Sequence, residues 1–306
     1  MTQSDRFKPQ PTADGSFTFF SPEFGETFHS HFGAKEEAER KFVEPTQLCL
    51  KAQQPQLKIL DICYGLGYNT AAALATIRQR NPDCVVEWVG LESDPTVPQC
   101  AIAENLLNSW PPEIVEILTE LGHHHQLNQP NLQAQLLIGD ARQTIRQILN
   151  RGFAADAIFL DPFSPPSCPQ LWTVEFFRLV AQCLNPRGYL ATYSCSAAVR
   201  TALIEVGLTI GSTPPVGRRS PGTIAWWPNT SDTDFLLIDS TGKSVDIRLS
   251  QQEQEHLQTR AAIPYRDPTL SDSAESILNR RLLEQKNSAL PTTSQWKKRW
   301  WTNRSI

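Results

Sequence analysis

The stretch "LKILDICYGLGYNTAAALATIRQR", residues 57–80, decides the fold. Its opening, "LKILDICYG", is rich in β-favouring side chains, whereas "NTAAALATIRQR" carries the alanines and leucine of a helix. Between them sit Gly65 and Gly67, a residue type that turns tightly and lets backbone approach a ligand closely. The same strand-then-helix pattern recurs along the chain. "CVVEWVGLES" (84–93) precedes "TVPQCAIAENLL", and "LQAQLLIGD" (132–140) precedes "ARQTIRQILN". "ADAIFLD" (155–161) precedes "LWTVEFFRLVAQCL", and "GYLATYSC" (188–195) precedes "AAVRTALIEVG". Strands alternating with helices predict a doubly wound α/β sheet, mostly parallel and covered on both faces. "LTIGSTPPVGRRSPGTIAWW" (208–227) then holds two short strand patterns around a Pro/Gly/Arg turn, which predicts a closing antiparallel hairpin. Beyond Pro228 the text turns polar and loop-rich.

Composition narrows the class. The chain has 306 residues, 40% of them apolar and 20% charged, with no apolar run of membrane length and no charged-then-apolar leader. These features predict a cytoplasmic protein without a membrane partner. Seven cysteines without a CxxC pair argue against a disulfide framework and a zinc ribbon. Cys49, Cys63, Cys84, Cys183 and Cys195 lie in apolar text and read as small core residues. "HHH" at 123–125 reads as a solvated loop, because consecutive histidines do not converge on one metal ion. No metal site is expected.

In open α/β sheets ligands bind beyond the carboxyl ends of the strands, at the switch point. The first strand carries Asp61 and leads to Gly65, Gly67 and Asn69. A dinucleotide GxGxxG is not completed, since Thr70 occupies the third position, and a P-loop lysine is absent. Alone, the glycines could form only a tight turn. The second strand ends in Glu92, placed to accept ribose hydroxyls, and the third in "GDAR", where Asp140 and Ala141 could meet an adenine. Each acid taken alone could be a helix N-cap or loop residue. Together, a glycine loop, a ribose acid and an adenine acid describe a pocket for an adenosine that carries no phosphates.

That order resembles class I S-adenosylmethionine methyltransferases, and the details resemble the MnmC family. The matching text includes "SPEFGETFHSHFGAKEEAERKFVE", "ILDICYGLGYNT", "EWVGLESDP", "GDARQTI", "FLDPFSPPSCPQLWTVEFFRLVAQCLNPRGYLATYSCSAAVR" and "GLTIGSTPPVGRRSPGTIA", roughly residues 16–227. "AIPYRDPTL" and "SILNRRLLEQ" resemble the tail of stand-alone members; the chain is too short for the flavin oxidase domain of bifunctional ones. The resemblance implies a Rossmann-like fold and S-adenosyl-L-methionine as cofactor. It also implies methyl transfer to the aminomethyl group of a tRNA wobble uridine. Expected boundaries are 1–50 for an N-terminal extension, 51–228 for the methyltransferase domain and 229–306 for a C-terminal extension. The resemblance further implies that residues 26–44, amphipathic in their second half, lie against the cofactor pocket; a helix merely capping the sheet is the alternative.

Within that family pattern Asp161 ends the fourth strand, followed by "PFSPP". Only a neutral amine has the lone pair that attacks a sulfonium methyl, so a carboxylate here could take or steer the amine's proton. "DPFS" is similar to the (D/N)PP(Y/F) motif of amino-methylating nucleic-acid enzymes, in which a backbone carbonyl assists and an aromatic ring, here Phe163, stacks on the base. Asp161 as a simple turn former is the alternative. Arg218 and Arg219 in the hairpin could hold phosphates. From Arg280 to Ile306 seven basic residues stand against Glu284 alone, beside Trp296, Trp300 and Trp301. That end could grip tRNA, or it could dock on the body through its tryptophans. A small-molecule amine methyltransferase and a non-catalytic nucleotide-binding module are the competing functions.

Overall fold

The computed structural model describes residues 7–217, 220–228, 235–239 and 241–301. Its centre is an eight-stranded sheet. The strands are β1 (Gln56–Ile62), β2 (Val85–Glu92), β3 (Gln126–Gln129), β4 (Leu132–Ile138), β5 (Ala155–Leu160), β6 (Leu184–Thr192), β7 (Thr209–Thr213) and β8 (Gly222–Trp226). Their spatial order is β7-β8-β6-β5-β1-β2-β4-β3. The six-strand middle is parallel except for β8, which runs antiparallel between β6 and β7 as the hairpin reading expected. β3 adds an antiparallel edge beside β4.

Helices cover both faces. They include α1 (Tyr68–Arg80), α2 (Thr96–Ala103), α3 (Pro112–His124), α4 (Ala141–Asn150), α5 (Val174–Gln182) and α6 (Ala197–Glu205). One face packs Leu57, Ile59, Trp88 and Leu136 against α1 and α3. The other packs Leu60, Ile62, Val89 and Ile158 against α4, α5 and α6. Successive β residues point to opposite faces, and every β1 residue from Ile59 to Ile62 is buried, so both faces of the strand are covered.

Three sequence expectations are corrected. The histidine run is not a loop: His123 and His124 close the last turn of α3, and His125 caps it in the left-handed conformation. Proline at the first helical position starts α3, and Ile114, Ile117, Leu118 and Leu121 bury one stripe. Cys49 is exposed, while Cys63 and Cys195 are half-buried; only Cys84 and Cys183 of the five are core residues. The region after 228 is more than loops. It holds a small hairpin (Leu236–Ile238 with Ser244–Asp246) and α7 (Gln251–His256), α8 (Ala274–Asn287) and α9 (Thr293–Trp301). Tyr265, Leu270 and Ile277 join the same core cluster as α5 and α6.

Candidate active site

The chain runs outward from β1 through β2 to β4, then returns to β5 on the other side of β1. The reversal opens a crevice at the carboxyl ends of β1, β2 and β5, where Asp61, Glu92 and Asp161 lie. A cavity of about 430 Å³ occupies this position, a size suited to a small-molecule ligand. Its lining includes Cys63, Gly65, Glu92, Asp94, Asp161, Phe163 and Tyr193.

The glycine loop forms one wall. Gly65 and Gly67 both have left-handed backbone, with φ of 58° and 88°, and a Cβ on Gly67 would come within 2.7 Å of the Tyr64 hydroxyl oxygen. Glycine is required there by both geometry and space. Glu92 fastens the loop: its Oε2 accepts from the Gly65 N–H at 2.8 Å. Its Oε1 accepts from the N–H groups of Ser93 (2.7 Å) and Asp94 (2.9 Å). Burial raises the Glu92 pKa above the usual carboxylate value, opposed by the hydrogen bonds from Asp94, Gly65 and Ser93.

Asp61 lies beneath this loop, fully buried. Its Oδ2 accepts from the Thr70 hydroxyl at 2.6 Å, while Oδ1 is buried without a partner among the described residues. Burial pushes its pKa up to about 7, against the Thr70 bond. Asn69, in the first turn of α1, donates from Nδ2 to Asp161 Oδ2 at 2.9 Å. The other oxygen of Asp161, Oδ1, makes no hydrogen bond among the described residues. Burial raises Asp161 well above the carboxylate range; the Asn69 bond opposes this, the charges of Glu37 and Asp61 add to it, and Lys41 opposes it.

The loop after β5 is held from several sides. Tyr193 donates its hydroxyl to the Pro162 carbonyl at 2.9 Å, and the Trp172 indole donates to the Phe163 carbonyl at 2.8 Å. Glu26 accepts from the Ser164 N–H at 3.0 Å, from the Ser167 hydroxyl at 2.7 Å and from the Ser164 hydroxyl. The Phe163 ring stacks on Phe24 at 4.4 Å and meets the edge of Phe28 at 4.9 Å. One face of Phe163 is therefore covered by the protein itself.

The N-terminal segment thus lies against the cavity. Ser21, Phe24, Glu26, Thr27, Phe28, His29, Ser30, Glu37 and Phe42 all line it. None of these nine was among the candidate site residues. Burial pushes His29 down to about 4, against the charges of Glu37 and Asp14, so its imidazole is neutral. The segment continues through a short α-turn (Ala34–Glu37) into a π-helical turn (Ala38–Val43). π-turns are uncommon and gather at functional sites.

Asp140 and Ala141 are not among the cavity's lining residues. Asp140 caps α4, accepting from the Arg142 N–H at 2.9 Å, and its carboxylate pairs with the Arg142 guanidinium at 2.7 Å. Arg142 reaches on to the buried Asp267 at 2.8 Å, which ties the C-terminal region to this corner. Arg218 and Arg219 lie outside the described residues; Gly217, just before them, packs so closely on Phe32 that a Cβ would overlap it.

The basic C-terminal end is engaged with the body. Trp296 donates to the Gln252 carbonyl at 2.9 Å and stacks on His256 at 4.2 Å. Trp300 donates to Glu255 at 2.7 Å, which also pairs with Arg299 at 3.1 Å. Arg280 holds Asp272, and Arg281 holds the carbonyls of Ile263 and Ala261. The docking alternative describes Trp296 and Trp300; the side chain of Trp301 is outside the described residues. No group of His, Cys, Asp and Glu among the described residues could hold a metal ion, and no described helix is long and apolar enough to cross a membrane.

Comparison with known proteins agrees with this architecture. A family described as S-adenosyl-L-methionine-dependent methyltransferase matches residues 99–228. The protein MJ0670 of Methanocaldococcus jannaschii is 27% identical over 276 residues, which cover 88% of this chain and 70% of that protein. The tRNA 5-methylaminomethyl-2-thiouridine biosynthesis bifunctional protein MnmC of Polaromonas naphthalenivorans is 28% identical over 66% of this chain. The chain spans only about a third of that bifunctional relative, 32% of its length. The crystal structure of MNMC2 from Aquifex aeolicus superposes with a TM-score of 0.76 at 33% identity, covering 92% of this chain and 86% of that one. With its cavity at the switch point, its glycine loop and this degree of likeness over nearly its whole length, the chain belongs to the MnmC2 family of S-adenosyl-L-methionine-dependent methyltransferases.

Proposed function

We propose that this methyltransferase transfers a methyl group to the aminomethyl substituent of a tRNA wobble uridine. The observation that carries the reading is Asp161: a carboxylate lining the cavity, one oxygen fixed by Asn69 and the other unoccupied by hydrogen bonds from the described chain. An aminomethyl group is mostly protonated at neutral pH, and Asp161 Oδ1 is the acceptor that relieves it of a proton. The relatives named for tRNA 5-methylaminomethyl-2-thiouridine biosynthesis support the choice of substrate.

The residues present suit the cofactor. Gly65 and Gly67 offer close backbone approach, Glu92 offers the acceptor for ribose hydroxyls, and Asp61 Oδ1 is a buried acceptor without a partner. When bound, S-adenosylmethionine supplies an electrophilic methyl on a sulfonium, whose sulfur keeps the electron pair of the broken bond. In this reading Asn69 orients Asp161, and Asp140 with Ala141 shapes the adenine end as a helix N-terminus. Phe163 offers only its uncovered side to a base, and Arg218 and Arg219 meet phosphate. Residues 51–228 form the catalytic domain, completed by the extensions 1–50 and 229–306, and the setting is the cytoplasm, where tRNA is modified.

The test is direct. The protein is incubated with methyl-labelled S-adenosylmethionine and bulk tRNA lacking the final methyl, and the tRNA is digested to nucleosides. Label in the methylaminomethyl uridine is the expected result. Label in another nucleoside, or none in tRNA, refutes the substrate.

A further inference from the structure

The cavity has a one-sided charge. Its described lining includes six carboxylates (Glu23, Glu26, Glu37, Glu92, Asp94 and Asp161) but no lysine or arginine. Two of the six have assigned work on the chain itself: Glu26 holds the serines of the 161–167 loop, and Glu92 holds the glycine loop. Glu37 differs. It lines the cavity while nine-tenths buried, and its Oε2 accepts from the Ser30 N–H at 3.0 Å. Its Oε1 lies 3.9 Å from the ammonium of Lys41, too far for a hydrogen bond. Its charge acts on both Asp161 and His29.

We propose that Glu37 is a second acidic contact for the target amine, so that the cavity receives the amine as its ammonium ion between Glu37 and Asp161. This inference rests on the amine reading of the site above. Two carboxylates near one another in a buried site repel, and a cation placed between them removes the repulsion. Aromatic faces strengthen such a site, and Phe24, Phe28 and Phe163 form a ring cluster on the same lining. Neutral His29 adds no competing positive charge. Lys41, almost fully buried on the π-turn, places its ammonium 3.9 Å from Glu37 Oε1. One proton then moves, from the ammonium nitrogen to Asp161 Oδ1, leaving a neutral amine with a free lone pair. Glu37 is a binding residue and not the base.

The experiment uses the full chain and a Glu37→Gln variant, with Glu37→Asp as the conservative control and thermal melting to show that each folds. First, calorimetry with S-adenosylhomocysteine present measures the affinity for benzylammonium and for benzyl alcohol. Binding of the cation by the natural protein, weakened roughly tenfold or more in Glu37→Gln and partly restored in Glu37→Asp, is the expected result. No preference for the cation in the natural protein, or equal affinity in Glu37→Gln, overturns the inference. Second, affinities for S-adenosylmethionine and S-adenosylhomocysteine are compared. A loss in Glu37→Gln confined to the sulfonium form would assign Glu37 to the cofactor and overturn the inference as well. Third, with tRNA bearing the amine, KM should rise more than kcat falls in Glu37→Gln. Absence of transfer to tRNA by the natural protein would refute the tRNA reading alone, since the first two measurements do not use tRNA.

Discussion

Replacing Asp161 by Asn tests the centre of the mechanism. The substitution keeps the side chain's size, and the Asn69 contact can persist. Asn69 Nδ2 now donates to Asp161 Oδ2, and Asn69 Oδ1 is buried without a partner. If the Asn69 amide turns over, it can accept from the new amide nitrogen and leave an oxygen facing the cavity. The variant then offers an acceptor of the same shape but no base. Loss of general-base help alone costs roughly 10²–10⁴-fold in the transfer step. Asp161→Ala loses the acceptor also, so its rate should lie at or below that of Asp161→Asn. The assay is single-turnover methyl transfer at saturating cofactor, with cofactor affinity measured separately by calorimetry. A rate for Asp161→Asn within about threefold of the natural protein refutes the base and leaves only positioning. Because burial holds Asp161 well above the usual carboxylate range, the rate of the natural protein should climb as pH rises through that raised value. Both variants should lack this limb.

Other consequences can be measured on the same protein. Gly67→Ala forces a side chain into left-handed backbone and against the Tyr64 hydroxyl; it should destabilise by about 1–2 kcal/mol or more and weaken cofactor binding, as a melt and calorimetry would show. Glu92→Ala should weaken S-adenosylmethionine binding by about 1–3 kcal/mol, since it removes an acceptor and releases the Gly65 N–H; unchanged affinity would refute its role. Asp61 is an acid whose folded pKa, about 7, lies above its ordinary 3.8, so its stabilisation is complete below the lower value and is lost as pH rises through the upper one. Relative to Asp61→Asn, the natural protein's melting temperature should fall between pH 4 and 7; parallel profiles would refute the shift. Deleting residues 292–306 removes the stacked Trp296 and the Trp300 hydrogen bond, so stability should drop by about 1–3 kcal/mol with cofactor affinity unchanged. A stable truncation that loses tRNA affinity and salt dependence would return that end to an RNA-binding role.

The alternating pattern was legible because β1 carries apolar residues on both faces and helices such as α4 and α5 bury an apolar stripe. Helix α3 was missed although Ile114, Ile117, Leu118 and Leu121 recur at helical spacing; the flanking prolines and histidines masked it. The strand-end acids Asp61, Glu92 and Asp161 were legible because topology alone brings strand ends together. Asp140 was harder: Arg142 occupies it and is itself tied to Asp267, and a link between residues 125 apart leaves no mark on spacing. Glu37 and Lys41 stand at helical spacing from the buried Ala34, but their charge reads as a solvated face, so their inward positions went unmarked.

Tyr193 and Trp172, which donate to carbonyls of the 161–163 loop, bear on which nucleophiles the site serves. An amino group on an aromatic base has its lone pair spread into the ring, and localising that pair calls for two acceptors, one for each N–H. Asp161 supplies one oxygen, but the Pro162 carbonyl already gives one of its two lone pairs to the Tyr193 hydroxyl, and the Phe163 carbonyl one to the Trp172 indole. An aliphatic amine has no conjugation to overcome. It needs to lose a single proton, which one carboxylate oxygen can accept. Tyr193 and Trp172, though they need never touch a substrate, thereby tilt the chemistry away from exocyclic amines of the bases and toward a flexible alkylamine. Tyr193→Phe, which frees the Pro162 carbonyl, is where adenine or cytosine methylation would first emerge.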